Sequence, residues 1–135
     1  MTIGVGIDVV HLPDFEAQLA DANSIFLKGT FTPGERAQSQ ARPGGKPARH
    51  LAARYAAKEA FIKAWSGSRW GRPPLIATAD LSEIEVLSDR WGRPRLKLHG
   101  ALAAAVGSET AAHVSLSHDG DTATAMVVLE RITGA

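Results

Sequence analysis

The side chains best suited to chemistry in this chain are charged groups on one alanine-rich segment. Residues 49 to 65, RHLAARYAAKEAFIKAW, carry Arg54, Lys58, Glu59 and Lys63, and the pattern predicts a single helix. A carboxylate among cations suits a metal ion with phosphate groups, because the carboxylate binds the metal and the cations neutralise the phosphates. The alternative is a surface ion pair between Glu59 and Lys63, whose i to i+4 spacing is common on helices and worth about 0.3 to 0.5 kcal/mol.

The geometry of that helix limits which of its charges can act together. At about 100° per residue, Glu59 lies about 140° around the helix from Arg54, so one narrow face cannot hold all four charges, although long basic side chains could still converge. Alanines at positions 52, 53, 56, 57, 60 and 64 keep the helix narrow. A narrow helix allows a sheet or a cofactor to approach closely, while the alternative explanation is helix propensity alone.

A second candidate, Asp8, lies on the first predicted strand. Aliphatic residues at positions 3, 5, 7 and 9 alternate with Gly4, Gly6 and Asp8, so residues 2 to 10 should form a strand with an aliphatic face and a nearly bare face. An ionised carboxylate on such a strand needs a partner or a cation, and the flanking glycines leave room for a ligand to approach the backbone. An exposed or turn-forming aspartate is the alternative.

Hydroxyl and imidazole groups form a third set, on a predicted strand from His113 to His118. Zinc is disfavoured there, because the two histidines should project to opposite faces of the strand and the chain has no cysteine to complete a site. Ser115 and Ser117 share a face with His113, while His118 lies where the strand meets a turn. Such groups bind phosphate or ribose, or they are simply solvated.

Two common phosphate-binding motifs are excluded by inspection. The GVGIDV segment lacks the third glycine of the dinucleotide-binding fingerprint, and Gly44-Gly45-Lys46 is followed by Pro47 where a P-loop needs Ser or Thr. A nucleophile elbow of the G-x-S-x-G kind is also missing from the sequence.

The elements that must position these groups follow from periodicity and capping. A helix is expected from Pro13 to about residue 22, and another begins where Thr32, Pro33 and Glu35 fit the N-cap, N1 and N3 positions of a capping box. The breaker-rich run RPGGKP, residues 42 to 47, predicts a mobile loop before the long helix.

Two strands, a short helix and a closing hairpin are expected after the long helix. The strands at 84–87 and 96–98 are joined by a turn at 91–94, the helix covers 99–107, and strands at 113–118 and 122–130 flank a turn at 119–121. This order predicts an α+β fold with a mostly antiparallel sheet packed on a long helix, in a single domain over residues 1–135.

Composition bounds the class of protein. The chain has 135 residues, 44% of them hydrophobic, which is enough for the core of one domain but not for a membrane span. The net charge of +1 provides no general field to attract nucleic acid, so neither a nucleic-acid nor a membrane partner is expected. The first residues, MTIGVGIDVVHL, show no signal-peptide pattern, and a cytoplasmic location is the default expectation.

Taken in order, these segments resemble the holo-acyl-carrier-protein synthases, which are small 4'-phosphopantetheinyl transferases. The resemblance is carried by the GVGIDV strand, the FTPGE helix start, the RYAAKEAFIKA helix, the WGRP turn and the HVSLSH strand. It runs from about residue 3 to residue 130, nearly the whole chain. Its specific part is the AAKEAFIKA helix combined with an upstream G-x-D strand.

The resemblance implies transfer of the 4'-phosphopantetheine arm of coenzyme A to a serine of an acyl carrier protein or carrier domain, for fatty acid biosynthesis, with release of adenosine 3',5'-bisphosphate. Magnesium is the expected metal, with manganese as an alternative. The family pattern assigns the metal ligands to Asp8 and Glu59 and the phosphate contacts to Arg54 and Lys63, so that Asp8, Glu59 and Lys63 are the catalytic set. It also implies a homotrimer with active sites between subunits.

The same resemblance assigns the remaining contacts to coenzyme A. It places Gly92, Arg93 and Pro94 along the adenine and ribose end of coenzyme A. It places Ser115, Ser117 and His118 opposite the nucleotide phosphates. The proton of the carrier serine passes to a metal-bound water or to Glu59. Lys58 points elsewhere on the helix and is left out of the site.

The charge of the first helix departs from the family pattern. Family members usually display arginine and lysine on the first helix for an acidic carrier, whereas here that stretch carries Asp14, Glu16 and Asp21, with no lysine or arginine before Lys28. The natural target is then either an acidic carrier bound by cations elsewhere on the chain or a carrier domain of a larger synthase.

Two functions other than a transferase remain as alternatives. They are a non-catalytic coenzyme A or nucleotide-binding module and a metal-dependent nucleotide hydrolase.

Overall fold

In residues 1–21, 25–41 and 45–132, which the computed structural model describes, one strand is followed by four helices, and two pairs of strands then flank a short helix. The strands are β1 (Thr2–His11), β2 (Ile84–Ser88), β3 (Pro94–Leu98), β4 (Thr110–Asp119) and β5 (Thr122–Arg131). The helices are α1 (Leu12–Ala20), α2 (Phe26–Thr30), α3 (Pro33–Ala41), α4 (Pro47–Ser68) and α5 (Gly100–Val106), and a 3-10 turn lies at Leu81–Glu83. The loop predicted at residues 42 to 47 falls partly outside the described residues, so its mobility stays a prediction.

The strands form two antiparallel sheets. In the larger sheet β5 lies between β1 and β4, and in the smaller sheet β2 pairs with β3. Glycines permit the tight turns of both hairpins: Gly92 lies between β2 and β3 with a φ of 81°, and Gly120 lies between β4 and β5 with a φ of 55°. The expectation of an α+β fold with antiparallel strands is confirmed.

Helix α4 crosses the glycine face of β1 at the distance of main-chain contact. A Cβ atom added to Gly6 would collide with the carbonyl oxygen of Ala60, and one added to Gly4 would collide with that of Ala64. Small residues on both elements therefore let the two main chains touch. The prediction that the glycines leave room for a ligand is wrong in this respect, because the helix occupies that space.

The opposite face of β1 carries an apolar strip that is open to solvent in the single chain. Val5, Ile7 and Val9 are 58%, 59% and 64% exposed, and Met126 of β5, which pairs with Ile7, is 46% exposed. These four residues are called the outer apolar strip below. Three of the four residues of the aliphatic face predicted for this strand thus point away from the core of their own chain, whereas Ile3 packs partly against it.

A buried ion pair connects α3 and α4. The predicted capping box is present, since the Thr32 amide donates to the Glu35 carboxylate at 2.9 Å and the Glu35 amide donates to the Thr32 hydroxyl at 3.1 Å. The fully buried Lys58 ammonium donates to Glu35 at 2.7 Å and to the carbonyl oxygens of Leu81 and Ile84 at 2.9 and 2.6 Å. Burial lowers the pKa of Lys58, and the Glu35 carboxylate opposes that shift. These three bonds use every donor of the ammonium group, which gives Lys58 a structural role.

Helix α4 extends beyond both ends of the predicted segment. It begins at Pro47, whose fixed φ suits the first turn of a helix, and ends at Ser68. Its middle is almost fully buried, with Ala56, Ala57 and Ala60 at 0% exposure. None of the described helices, α4 included, combines the length and apolarity needed to cross a membrane.

An aromatic cluster joins α1, α2 and α4 beside β1. The ring of Tyr55 lies 5.6 Å from that of Phe15 and 5.3 Å from that of Phe26, measured between centroids, and Phe31 completes the cluster. Helix α2, which supplies Phe26, was not predicted, because five residues are too few to show a helical period.

Candidate active site

Asp8 lies in the second half of β1, on the face that α4 covers. Its side chain is 16% exposed, and Lys63 of α4 donates to its Oδ1 atom at 3.0 Å and to the carbonyl oxygen of Ile7 at 3.0 Å. The Thr124 hydroxyl of β5 donates to the Asp8 carbonyl oxygen at 2.9 Å. The carboxylate is therefore paired and held between strand and helix, while Lys63, 55% exposed, stays accessible.

Glu59 reaches the same cavity from α4. The cavity has a volume of about 330 Å³, and its lining includes Asp8, Asp14, Gln18, Tyr55 and Glu59. Tyr55, four residues before Glu59 on α4, lines the cavity beside it. Burial raises the pKa of Tyr55 to about 12, with the charges of Glu59 and Asp8 acting in the same direction, so the hydroxyl remains a donor at neutral pH.

Two carboxylates in one cavity could hold a hard divalent cation. Asp8 and Glu59 offer oxygen ligands from two elements that are in main-chain contact. Mg²⁺ commonly takes one or two carboxylates and completes its octahedral shell with water and substrate phosphate oxygens. Within the described ranges, no group of three or more acidic or histidine side chains has the arrangement of a metal site, so a bound cation would depend on such added ligands.

Arg54, predicted as a phosphate ligand, is directed to another side of α4. It is 5% exposed, and its Nη2 atom donates to the hydroxyl of Ser88, the last residue of β2, at 3.0 Å. Arg54 and Lys58 both contact the region of the smaller sheet, whereas Glu59 faces β1. The bond to Ser88 thus leads away from Asp8.

The hairpin turn predicted to follow adenine and ribose borders a second cavity. Arg93 and Pro94 line a cleft of about 820 Å³ between the β2–β3 hairpin and the first half of β4. Hydrogen bonds from the main chain and then the side chain of Arg93 lower the pKa of Asp89, which lines the same cleft. Ser88, the partner of the buried arginine on α4, lines it too. Arg93 and Pro94 therefore lie at a cleft separate from the Asp8 cavity, while Gly92, predicted with them, is not among the residues that line it.

The three β4 residues predicted to face phosphates lie on two faces of the sheet. The strand register places Ser115 and Ser117 on the outer face, opposite the face that carries Asp8. His118 lies on the inner face, and its Nε2 atom is 3.3 Å from the carbonyl oxygen of Arg49 in the first turn of α4. Within one chain, the two serines are thus on the other side of the sheet from Asp8.

Sequence reasoning missed Tyr55 and Asp14 as residues of the cavity. Tyr55 stands four residues before Glu59, and this spacing brings side chains together on a helix, so a signal for it existed. Asp14 lies on a different element, and no periodic pattern relates it to Glu59. Only the docking of α1 beside β1 and α4 brings Asp14 to the cavity.

Comparison with known proteins assigns the family. The model of the 4'-phosphopantetheinyl transferase superfamily matches residues 4–126. The chain belongs to this superfamily. The matched region holds nearly all of β1 and the whole of α4, the elements of this transferase chain that carry Asp8 and Glu59.

Similar members of the superfamily include holo-[acyl-carrier-protein] synthases. The synthase of Mycobacterium tuberculosis strain H37Rv is 51% identical over 128 residues, which are 95% of this chain and 96% of that protein. A solved ACPS–CoA complex from Chronobacterium ammoniagenes is 46% identical with a TM-score of 0.88, covering 96% of this chain and 97% of that one. A holo-(acyl-carrier-protein) synthase from Bacillus anthracis, solved with CoA (3',5'-ADP), is 32% identical with a TM-score of 0.73, covering 97% and 98%.

Proposed function

We propose that this chain transfers the 4'-phosphopantetheine group of coenzyme A to a serine of an acyl carrier protein or carrier domain. The observation that supports this most directly is the convergence of Asp8 and Glu59 at one cavity, with Lys63 bonded to Asp8. The 51% identity to a holo-[acyl-carrier-protein] synthase supports the same reaction. Fatty acid biosynthesis is the proposed setting, and the cytoplasm is the proposed location.

The proposed metal is magnesium, with Asp8 and Glu59 as its protein ligands and manganese as an alternative. When bound, the ion would offset negative charge on the phosphates of coenzyme A. Lys63 adds a positive charge at the same place. Because its side chain is 55% exposed, the ammonium group can turn from Asp8 to a phosphate oxygen of the substrate.

The proposed reaction moves one phosphoryl group between two oxygens. The carrier serine oxygen attacks the phosphorus nearest pantetheine, and a bond forms between this oxygen and the phosphorus. The pyrophosphate P–O bond breaks, and adenosine 3',5'-bisphosphate leaves. The serine proton passes to the carboxylate of Glu59, which lines the cavity that the carrier serine must reach. Alignment by the cavity and neutralisation by Lys63 are the main protein contributions to such a transfer.

Coenzyme A is proposed to extend from the Asp8 cavity to the hairpin cleft. Residues 92 to 94 would hold its adenine and ribose, and Arg54 would act on a phosphate at the end of the cleft where Ser88 lies. The phosphates are also assigned to Ser115, Ser117 and His118. Since the serines lie on the outer face of the sheet, they require a different chain for their substrate.

A homotrimer with sites between subunits is proposed to meet that requirement. The outer apolar strip lies on the same face of the sheet as the two serines. Contiguous exposed apolar residues favour a protein interface, and closed symmetry is the usual outcome for identical subunits. A second copy packed on this face would cover the outer apolar strip. Ser115 and Ser117 would then contact the coenzyme A bound to that second copy.

The charge of α1 bears on the identity of the carrier. This helix has an acidic first turn and no basic residue in its last turn, and Asp14 lines the cavity that the carrier serine must reach. A transfer rate that falls as salt rises would indicate steering of an acidic carrier by cations elsewhere on the chain. A rate that hardly depends on salt would favour a carrier domain of a larger synthase.

Mass spectrometry of a carrier incubated with the protein, coenzyme A and Mg²⁺ tests the function. The carrier should gain the mass of one phosphopantetheine group on its serine. A non-catalytic binding module would leave the carrier unchanged, and a hydrolase would release phosphopantetheine into water without modifying the carrier. Either result would contradict the proposal.

The substitution Glu59→Gln tests the assigned role of that carboxylate. It keeps the size of the side chain while removing its charge, so metal-dependent transfer should be abolished and the melting temperature should change little. Glu109→Gln, at an exposed glutamate outside the cavity, is the matched control and should retain full activity. Full activity of the Glu59→Gln protein would overturn the assignment.

A further inference from the structure

A groove at the C-terminal end of α4 has no part in the proposed reaction. Its volume is about 230 Å³, and its lining includes four large apolar side chains, Ile62, Trp65, Leu75 and Ile76, and two arginines, Arg69 and Arg72. None of the described residues that line it is acidic. This cavity is called the α4-end groove below. Its chemistry is that of an apolar floor with a positively charged rim.

The two arginines hold their charge at the rim in different ways. Arg69 donates from Nε and Nη2 to the carbonyl oxygen of Pro73 at 3.2 and 3.0 Å, so the loop after α4 fixes its guanidinium group. Arg72 is exposed, and its side chain forms no hydrogen bond or ion pair with any residue that the structure describes. The carboxylates of a partner would therefore find two cations that no acidic residue of the groove neutralises.

Trp70 lies between these arginines in sequence and is 91% exposed, against 68% for Trp91. Trp65 stacks on Phe61, and Trp91 lies under two guanidinium groups. In the described part of the chain, the ring of Trp70 contacts neither another ring nor a cation. Tryptophan and arginine are enriched among the residues that dominate protein interfaces. The rim of the groove thus has the composition of a contact surface.

The α4-end groove adjoins the Asp8 cavity along α4. Ser66 lines the groove and follows Glu59 by seven residues, which at about 100° per residue is about 20° less than two full turns. The two residues therefore lie on the same side of the helix, about 10 Å apart along its axis. A protein whose serine enters the Asp8 cavity would reach the groove with residues close to that serine.

We propose that the α4-end groove docks an acidic, partly apolar segment of the carrier next to its target serine. This inference rests on the proposed function, because that function brings the carrier serine to the Asp8 cavity. Apolar side chains of the segment would cover Trp70 and enter the groove, and its carboxylates would bind Arg69 and Arg72. Helix α1 contains no lysine or arginine, so the groove supplies cations that this helix lacks.

The substitution Arg72→Glu tests the docking, with a purified acidic acyl carrier protein as the probe. The melting temperature should stay the same, because Arg72 has no bonded partner among the described residues. KM for the carrier should rise about three- to tenfold at low salt, while kcat and KM for coenzyme A change much less. The difference from the wild type should shrink as salt rises.

Two results of this experiment would overturn the proposal. An unchanged KM for the carrier would show that the groove does not meet it. A rise confined to KM for coenzyme A would assign the groove to the arm of the coenzyme instead.

Lys28→Glu is the matched control for net charge. Lys28 is an exposed cation on α2 and does not line the groove. Its replacement should leave KM for the carrier within about twofold of the wild-type value. An equal rise in both variants would mean that the charge of the whole chain steers the carrier, against the proposal.

Two further changes separate the apolar and the charged contacts. Trp70→Ala should raise KM for the carrier about tenfold with little dependence on salt, because it removes an apolar contact. A carrier whose acidic residues beside the target serine are replaced by lysine should be modified faster by the Arg72→Glu protein than by the wild type. A preference of both proteins for the unaltered carrier would contradict the proposed contact.

Sedimentation and the carrier assay distinguish the remaining outcomes. Arg72→Glu and Trp70→Ala should sediment as the wild type does, and a lower mass would assign the groove to contacts between copies of this chain and overturn the proposal. If the wild type modifies the carrier and both variants match it, only the docking site is wrong. If the wild type leaves the carrier unmodified, the transferase function itself is wrong.

Discussion

Lys58 and Lys63 carry the same charge on the same helix and meet different surroundings. Lys58 is fully buried and bonded to Glu35 and two carbonyl oxygens, whereas Lys63 is 55% exposed and bonded to Asp8. Their spacing on a helix predicts that the two side chains point in different directions. For this reason the sequence could assign Lys63, but not Lys58, to the site. The bond between Arg54 and Ser88 could not be predicted, because it depends on where the smaller sheet docks against α4.

The single tyrosine provides a test of the electrostatics of the cavity. Burial and the nearby carboxylates raise the pKa of Tyr55 from 10.0 to about 12. In protein treated with a chelator, the absorbance of tyrosinate should therefore appear near pH 12, and unfolding in urea should return the transition towards pH 10. Because the folded state favours the neutral hydroxyl, this group should contribute stability below pH 10 that is lost as the pH rises from about 10 to about 12.

The Tyr55→Phe protein serves as the baseline for this titration. It has no tyrosine left, so it should show no tyrosinate absorbance, and its free energy of unfolding should fall less between pH 10 and pH 12. A tyrosinate transition near pH 10 in the folded wild-type protein would contradict the pKa shift that partial burial and the two carboxylates produce.

At the scale of elements, the main feature is the packing of β1 on α4. The existence of β1, of α3 and of both hairpins could be predicted, because alternation, a capping box and turn glycines are local signals. Which face of β1 is buried could not be predicted by the usual rule that apolar residues pack inward. Here the bare face is buried, because the main chain of α4 fills the space that side chains would otherwise take.

Gly6→Ala tests this contact. The added methyl group meets the carbonyl oxygen of Ala60, which is main chain and cannot move aside alone. The free energy of unfolding should fall by about 1 to 3 kcal/mol or more, as for other overpacked cores. Transfer activity should also fall, because β1 and α4 carry the two carboxylates. Chemical denaturation and the carrier assay measure both effects.

Gly67→Ala is the matched control on α4. A Cβ atom at this position meets nothing within 4 Å, so the change should raise the free energy of unfolding by about 0.5 to 1 kcal/mol through helix propensity, with normal activity. Equal stabilities of the Gly6→Ala and wild-type proteins would show that the two elements are not in main-chain contact.

At the scale of the whole molecule, the outer face of the larger sheet is the surface that a single chain leaves uncovered. The outer apolar strip on β1 and β5 lies beside Ser115 and Ser117 of β4. Strand periodicity could predict that the serines share a face. Their side relative to Asp8 depended on the register of three strands, which the sequence does not specify.

The proposed homotrimer predicts that Val5→Asp disrupts assembly. The wild-type protein should sediment at about three times the chain mass of 14.3 kDa. A carboxylate at position 5 would have to be desolvated in the interface, so the variant should sediment as smaller species. Its transfer rate should fall as well, because the proposed site needs residues from two chains.

Ile25→Asp is the comparison for a general effect of added charge. Ile25 is 83% exposed and lies away from the outer apolar strip, just before α2. This variant should keep both the mass and the activity of the wild type. A wild-type protein that sediments as a single chain and is fully active would overturn the proposed trimer and the roles given to Ser115 and Ser117.

Main-chain contact between β1 and α4 also has a consequence for how the sequence can diverge. The spacing of the two carboxylate-bearing elements is set by glycine and alanine backbones rather than by the shapes of large side chains. Substitutions at core positions away from the β1–α4 contact, such as Leu102 or Val86, can therefore lower the melting temperature while the spacing of Asp8 and Glu59 stays the same. In a library of random variants, loss of heat resistance and loss of catalysis should map to different positions, with Gly4 and Gly6 among the few where both are lost together.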